Sequence, residues 1–433
     1  GGSVNVHHPW TRSILYRARR AEKKRLSPTG SIASAARIAA SAFLLTLSGT
    51  GWPAWSAPAE QETSLPTLTH AAQIRQLPPE EAKRGYPVRL RGVVTYYGGQ
   101  GWEMFFQDST AGIYVNTGTV ALPVKAGDLV ELRGRTAPGD FAPVVIDPKL
   151  RILGKAAMPP HQALSLEKLA TGSEDSQLAE IEGVVRQVME QDGRLLLDLA
   201  TPEGRLRVYM PEWNPAAIHL VDSAVRLHGA CGTVFNQRRQ IIGVKLYVPG
   251  MADVEIWEKR TGDPFALPVR AARHLLQFAP EGSSVHRVRV RGVVTLHRAG
   301  RSLFIRDETA GLYIETKQKD GLRPGDLVDV VGFPVVGEYT PILEDAIYRR
   351  AGTGPSPVPI AVTAPLANAG QFDAQLTRIQ GRLVGRTLSP DDQTLILESG
   401  SVIFQAKLED AKALDALKGL QDGPRLELTG VCS

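Results

Sequence analysis

From Val88 onward the chain alternates apolar and polar residues with a period of two: Val88, Leu90 and Val94 fall on one side, Arg89, Arg91 and Thr95 on the other. That period predicts a strand with one face turned to a core. Similar short runs follow at Glu103 to Gln107, Gly112 to Val115, Leu129 to Arg133, Val144 to Ile146 and Leu150 to Leu153, separated by turn-forming residues. The block then returns. Val88-Arg-Leu-Arg-Gly-Val-Val-Thr95 recurs as Val288-Arg-Val-Arg-Gly-Val-Val-Thr295, Asp108-Ser-Thr-Ala-Gly-Ile-Tyr-Val115 as Asp307-Glu-Thr-Ala-Gly-Leu-Tyr-Ile314, and Gly127-Asp-Leu-Val130 as Gly325-Asp-Leu-Val328. A fainter pair fills the spaces between. Ala179-Glu-Ile-Glu-Gly-Val-Val185 matches Thr377-Arg-Ile-Gln-Gly-Arg-Leu383, and Leu227-His-Gly-Ala-Cys231 matches Leu428-Thr-Gly-Val-Cys432.

The layout is therefore A, B, A′, B′, with units over 70–154, 161–257, 271–352 and 359–433 and proline-rich joints such as Pro159-Pro160, Asp263-Pro264 and Gly354 to Pro359. Gly92, Gly183, Gly292 and Gly381 sit mid-way along each first strand, where glycine permits the sharp bend of a barrel corner. Five short strands per unit with such a bend predict an all-β chain of four tandem OB-like Greek-key barrels, linked by short helices at Ala71 to Leu77 and Ala272 to Phe278. The fourth unit stops just after Cys432, whereas the second continues past Cys231 into a further strand. An incomplete last barrel, and a natural chain that continues, are the expectation.

Charge changes the picture only once it is located. The 433 residues carry a net charge of +5, but residues 1–59 hold eight Lys or Arg and one acid, leaving 42 basic residues against 44 acidic ones in the body. A near-neutral body argues against a nucleic-acid partner, whose binding rests on phosphate neutralisation. The basic cluster from Arg17 to Arg25, the apolar run Ile38 to Leu47 and the small residues Ala54, Ser56, Ala57 and Ala59 read as a secretory signal followed by export to the periplasm or the extracellular face of a bacterial membrane. The chain opens on Gly1 rather than Met, so its true start is expected to differ. Membrane contact is expected only through a segment outside this chain, and a homodimer only through the full-length protein.

No metal, nucleophile or phosphate-loop motif is present, so no catalytic residue, metal site or cofactor is expected and the chain is read as non-enzymatic. Asp108 and Asp307 are expected to bond their own turns. Arg89, Arg91, Arg289 and Arg291 are expected to pair with Glu131 and Asp329, and Cys231 and Cys432 to lie in separate cores. The ligand-contact candidates are Tyr96, Tyr97 and Trp102 around the tip Gly98-Gly-Gln-Gly101, their counterparts His297 and Arg301, and the third-strand residues Tyr114 and Tyr313.

The run Val88 to Thr95, followed by Phe106-Gln-Asp-Ser-Thr-Ala-Gly-Ile-Tyr-Val115 and Gly127-Asp-Leu-Val-Glu-Leu-Arg-Gly134, resembles the OB-like extracytoplasmic sensing regions of bacterial membrane-bound sensor histidine kinases. The joint Asp263 to Pro268 leading into His286 to Gly292 looks like the linker between their barrels. The resemblance implies a signal-transduction input region, with a transmembrane helix and kinase domains beyond Ser433. Its partner would be an unidentified small molecule or a periplasmic protein. Extracellular nuclease-associated modules share the Q-D-x-T-A-G and G-D-x-V patterns, so an OB-type nucleic-acid-binding region is one alternative reading and a structural spacer another.

Overall fold

The computed structural model describes residues 65–260, 262–277, 285–388, 393–408 and 423–433. The expected leader over residues 1–59 lies outside them. None of the described helices is long and apolar enough to cross a membrane.

The first unit contains β1 (Pro87–Tyr97), β2 (Met104–Gln107), β3 (Gly112–Val115), β4 (Asp128–Ala137) and β5 (Val144–Lys155), preceded by helices α1 (Ala71–Arg75) and α2 (Pro79–Ala82). The strands close into a barrel in the order β1-β2-β3-β5-β4. One strand serves both sides: the first half of β1 pairs with β4 and its second half with β2, the register shifting between Val94 and Tyr96. Gly92 makes the bend, because a Cβ there would lie 2.2 Å from the Gln107 carbonyl oxygen. Inside are Val88, Leu90, Val94, Phe106, Ile113, Val130 and Leu132, the alternating set, with Ile74 of α1 packed into the same core. Beyond Gly92 the alternation stops and Val93 to Tyr96 are all buried, since both faces of the strand are covered there.

The second unit contains β6 (Gln162–Ala163), α3 (Leu166–Ala170), β7 (Leu178–Gln191), β8 (Arg194–Thr201), β9 (Gly204–Met210), β10 (Ala224–Phe235), β11 (Ile241–Tyr247) and β12 (Val254–Glu258). The third repeats the first with β13 (Val288–Arg298), β14 (Ser302–Arg306), β15 (Gly311–Thr316), β16 (Asp326–Val335) and β17 (Ile342–Thr353), again a closed barrel. The fourth contains β18 (Ile360–Ala361), α4 (Ala364–Asn368), β19 (Leu376–Leu388), β20 (Gln393–Ser399), β21 (Val402–Leu408) and β22 (Arg425–Val431).

All-β character holds, but the expectation of four OB-like Greek-key barrels is corrected. The second unit runs as a seven-stranded sheet, β12-β10-β11-β9-β8-β7-β6, with β10 also pairing with β7; the fourth is a five-stranded sheet, β18-β19-β20-β21, with β22 paired to β19. In the second unit β11 bridges β9 and β10. Among the described residues no strand bridges β21 and β22, and the fourth unit stays open between them. The expectation of two buried cysteines is corrected with it: Cys231 is buried, whereas Cys432 is only half-buried.

The D-x-T-A-G motif shapes the joints. Asp108 Oδ1 accepts from Thr110 N–H at 2.7 Å, Thr110 Oγ1 at 2.6 Å and Ala111 N–H at 3.0 Å, while Oδ2 accepts from Ala71 N–H at 2.8 Å, so one carboxylate closes the turn and ties it to α1. Asp307 repeats all four contacts with Thr309, Ala310 and Ala272. Burial raises the Asp307 carboxyl, but those N–H donors together hold it below its ordinary value. The motif glycine then meets the next unit. A Cβ on Gly112 would lie 2.0 Å from the Ser176 carbonyl oxygen, and one on Gly311 would lie 2.3 Å from that of Ala374. Ser176 and Ala374 both hold left-handed backbone, φ 64° and 58°, and each donates its N–H to a cysteine carbonyl, Cys231 and Cys432, at 2.8 Å.

Gly112→Ala is expected to destabilise the protein by about 1–3 kcal/mol, the overpacking range, while Gly250→Ala, in open space, should stay within about 0.5 kcal/mol. Urea unfolding monitored by tryptophan fluorescence checks the pair.

Candidate functional site

The seven candidate residues do not form one site. Tyr96, Trp102 and Tyr114 converge on the joint between the first and second units. Tyr96 is 0 % exposed and packs with Phe105, Leu178, Leu196, Tyr209, Ala230 and Tyr247, with Tyr114 at the border. The Tyr96 and Tyr247 rings lie 5.2 Å apart, Phe105 and Tyr247 5.0 Å, and Phe105 and Tyr114 5.6 Å edge-on. Pairs at such distances contribute about 0.5–1.5 kcal/mol each beyond burial of their area. Burial pushes the Tyr96 and Tyr247 phenols well up, which keeps them neutral in this dry contact.

A stack caps the joint. The Arg194 guanidinium lies 3.3 Å from the centroid of the Trp102 ring and 5.2 Å from that of Tyr209, and Lys245 Nζ lies 4.9 Å from the Tyr209 centroid. Glu103 joins the two chemistries, accepting from the Tyr247 hydroxyl at 2.9 Å and from Arg194 Nη1 at 3.4 Å. Tyr96 and Trp102, candidates for ligand contact at the loop tip, are instead met by β7 to β11 of the next unit. Arg194, Tyr209, Tyr247 and Glu103 escaped sequence reasoning because none of them falls in a repeated motif.

Tyr97 and His297 occupy matching positions and perform the same task with different groups. The Tyr97 hydroxyl accepts from Leu122 N–H at 2.8 Å, and His297 Nδ1 accepts from Leu322 N–H at 3.2 Å. Each side chain pins the loop between the third and fourth strands of its own barrel. With Nδ1 accepting, the ring proton of neutral His297 sits on Nε2, 3.2 Å from the Tyr348 hydroxyl, which in turn donates to the Asp320 carbonyl at 2.8 Å. Burial lowers the His297 pKa. Tyr313 is half-buried with its ring 5.0 Å from Phe304, and burial raises its phenol. Arg301, at the β13–β14 turn, is exposed.

Arg89, Arg289 and Arg291 are engaged as expected. Arg89 meets Glu131 at 2.9 Å, and Asp329, 1 % exposed, accepts from Arg289 and Arg291 at 2.9 and 2.8 Å, while Arg289 also donates to the Phe265 carbonyl at 2.7 Å. Among the described residues no three of His, Cys, Asp and Glu are grouped so as to hold a metal ion.

No family model matches the chain. No curated protein does either. The description of the chain as OB-type and as a periplasmic histidine-kinase sensor is corrected accordingly, to an all-β chain of unassigned family. Among solved structures, asparaginyl-tRNA synthetase from Pyrococcus horikoshii complexed with asparaginyl-adenylate is 12% identical over 24% of this chain and 24% of its own, with a TM-score of 0.19. The match therefore spans about a quarter of the synthetase. An OBody bound to hen egg-white lysozyme is 12% identical over 24% of this chain and 100% of its own, TM-score 0.19. A murine DNA binding protein bound with ds DNA is 12% identical over 41% of this chain and 99% of its own, TM-score 0.22. Superpositions this partial carry no argument about function.

A histidine whose pKa is lowered in the fold contributes stability that is fully present above its ordinary value near 6.5 and is lost as pH falls through the folded value. His297→Tyr, the residue the first barrel uses at this position, should keep the loop pinned and flatten stability between about pH 7.5 and pH 5. Parallel urea titrations of the two proteins at both pH values measure this; equal slopes would exclude His297 as the origin.

Proposed function

We propose that residues 65–433 form a non-catalytic binding region of an exported protein, an array of coupled β units that takes up a small molecule or a protein partner and responds through the packing between its units. What supports this reading is where the motif residues are spent. The D-x-T-A-G carboxylates close turns, the aromatic tips weld the first two units together, and Arg89, Arg289 and Arg291 are tied to Glu131 and Asp329. Their chemistry goes into shaping each barrel and joining the first unit to the second, which leaves the remaining contacts between units to carry a response. The contact candidate left open is Arg301, with Tyr313 on the adjoining strand of the same barrel. An exposed cationic tip on the barrel that also carries the half-buried Tyr313 suits a small anionic or polar ligand.

One observation favours a second reading, a spacer that holds another domain at a distance: Tyr96 and Trp102 are consumed by the first joint. The nucleic-acid reading has the near-neutral body against it, 42 basic residues to 44 acidic.

A thermal-shift panel of amino acids, sugars and small carboxylates should yield a class of compound that raises the melting midpoint of the parent but not of Arg301→Glu, whose own midpoint should be unchanged. A panel without any shift would favour the spacer. Fluorescence anisotropy with a single-stranded oligonucleotide of about 20 nucleotides at about 0.15 M salt should show no saturable binding tighter than about 10 μM. Salt-sensitive saturation below that would overturn the proposal in favour of nucleic-acid binding.

A further inference from the structure

The contact between the second and third units is built differently from the first joint. Its apolar part is small, with Val184 and Ala224 of the second unit against Phe333 of the third. Two guanidinium groups flank the Phe333 ring, that of Arg186 at 4.0 Å and that of Arg287 at 5.2 Å. Arg186 is 6% exposed, its Nε and Nη1 have no hydrogen-bond partner among the described residues, and burial lowers its pKa to about 10, so it stays charged at neutral pH.

Beside it, Arg205 reaches across the joint. Its Nη1 donates to Asp198 Oδ2 of its own unit at 3.0 Å, and its Nη2 donates to Glu344 Oε2 at 2.5 Å and Asp345 Oδ2 at 2.9 Å of the third unit. Gln187 donates to Asp345 Oδ1 and accepts from Lys317 Nζ at 3.2 Å. The charged groups that face Arg205 are therefore Arg186 on β7, Asp198 on β8, Arg207 on β9, Glu315 on β15, Lys317 just beyond β15, and Glu344 and Asp345 on β17. On the far side of the contact Asp222 Oδ1 accepts from Arg287 N–H at 3.0 Å and lies 3.1 Å from His286 Nδ1, with Glu258 3.5 Å from the other ring nitrogen.

We propose that the contact between the second and third units is a charge-balanced hinge, held closed by Arg205 tying Asp198 to Glu344 and Asp345, about which the A–B pair and the A′–B′ pair move as bodies. The first joint excludes water with seven buried side chains and keeps its shape whatever the pH. The middle contact buries three apolar residues and relies on charges drawn from both partners. Burial raises the carboxyls of Asp198 and Glu315, so both bind protons more readily when the hinge is closed than when it opens to water. Arg205 offsets the mutual repulsion of Asp198, Glu344 and Asp345 across the contact, so the ties need the ionised carboxylates only while the guanidinium is there to receive them. The inference holds whatever the array binds.

Spin labels on introduced cysteines at exposed Glu212 and Glu308 report the hinge, and labels at Lys83 and Glu212 report the first joint, in a Cys432→Ser background where Cys231 is buried. In the full chain, Arg205→Gln should lengthen and broaden the Glu212–Glu308 distance at about pH 7 and return it to the parent distribution at about pH 4.5. The Lys83–Glu212 distance should be unmoved throughout. Adding Glu344→Gln and Asp345→Asn to Arg205→Gln should restore the parent distance at about pH 7, and this triple variant carries the test if the single one does not fold. An unchanged Glu212–Glu308 distance in Arg205→Gln, an opening that acid does not reverse, a movement of both distances together, or an open triple variant would each overturn the hinge.

Discussion

Two backbones approach each other at the D-x-T-A-G glycine more closely than any side chain would permit. Ser176 presses its carbonyl onto Gly112, and Ala374 presses its own onto Gly311. The approach requires three things at once: a missing Cβ on one unit, a left-handed residue on the next, and a carboxylate that holds the turn in place from behind. From it follow the angle between the paired units and the burial of β1 on both faces past Gly92. It also places Tyr96 and Phe105 where the second unit can cover them.

The cysteine at each contact belongs to the same geometry. Cys231 and Cys432 exchange backbone hydrogen bonds with the segment carrying the left-handed residue, Cys231 N–H donating to the Gln177 carbonyl at 2.8 Å and Cys432 N–H to that of Gln375 at 2.9 Å. Burial pushes both thiols up, Cys432 to about 11, so neither is a thiolate at neutral pH. They serve as small side chains in a crowded place. The dry first joint and the ionic contact between the second and third units come apart at different cost, because separating apolar surfaces exposes them to water whereas separating ion pairs exchanges one set of polar partners for another.

Much of this was legible in the sequence. The period of two, the mid-strand glycine and the repeated Asp, Thr and Gly of the turn placed the strands of the first and third units and assigned Asp108 and Asp307 to their own turns. The limits of that reading lie where repetition ends. Nothing in the spacing of Tyr96 or Trp102 distinguishes an aromatic waiting for a ligand from one waiting for a neighbouring unit; their partners Arg194, Tyr209 and Tyr247 have no matching motif to mark them. The strand order of the second and fourth sheets was misjudged for a related reason, although the fourth unit is open as the sequence led one to expect. Extra edge strands β6 and β12 are too short to leave a periodic signal, and the pairing of β22 depends on partners far away in the chain. Tyr97 and His297 show the converse, since unlike side chains at one position hide a shared hydrogen bond to a loop.

The matched Gly112 and Gly311 contacts also bear on ancestry. A glycine that admits a neighbour is of no use without the neighbour, and a left-handed residue that protrudes is a liability without a notch to enter. Neither half is of use alone, which fits a copied segment made of the whole A–B couple, with the notch glycine and the left-handed backbone opposite it kept while the filler's side chain, Ser176 or Ala374, and the surrounding sheets diverged.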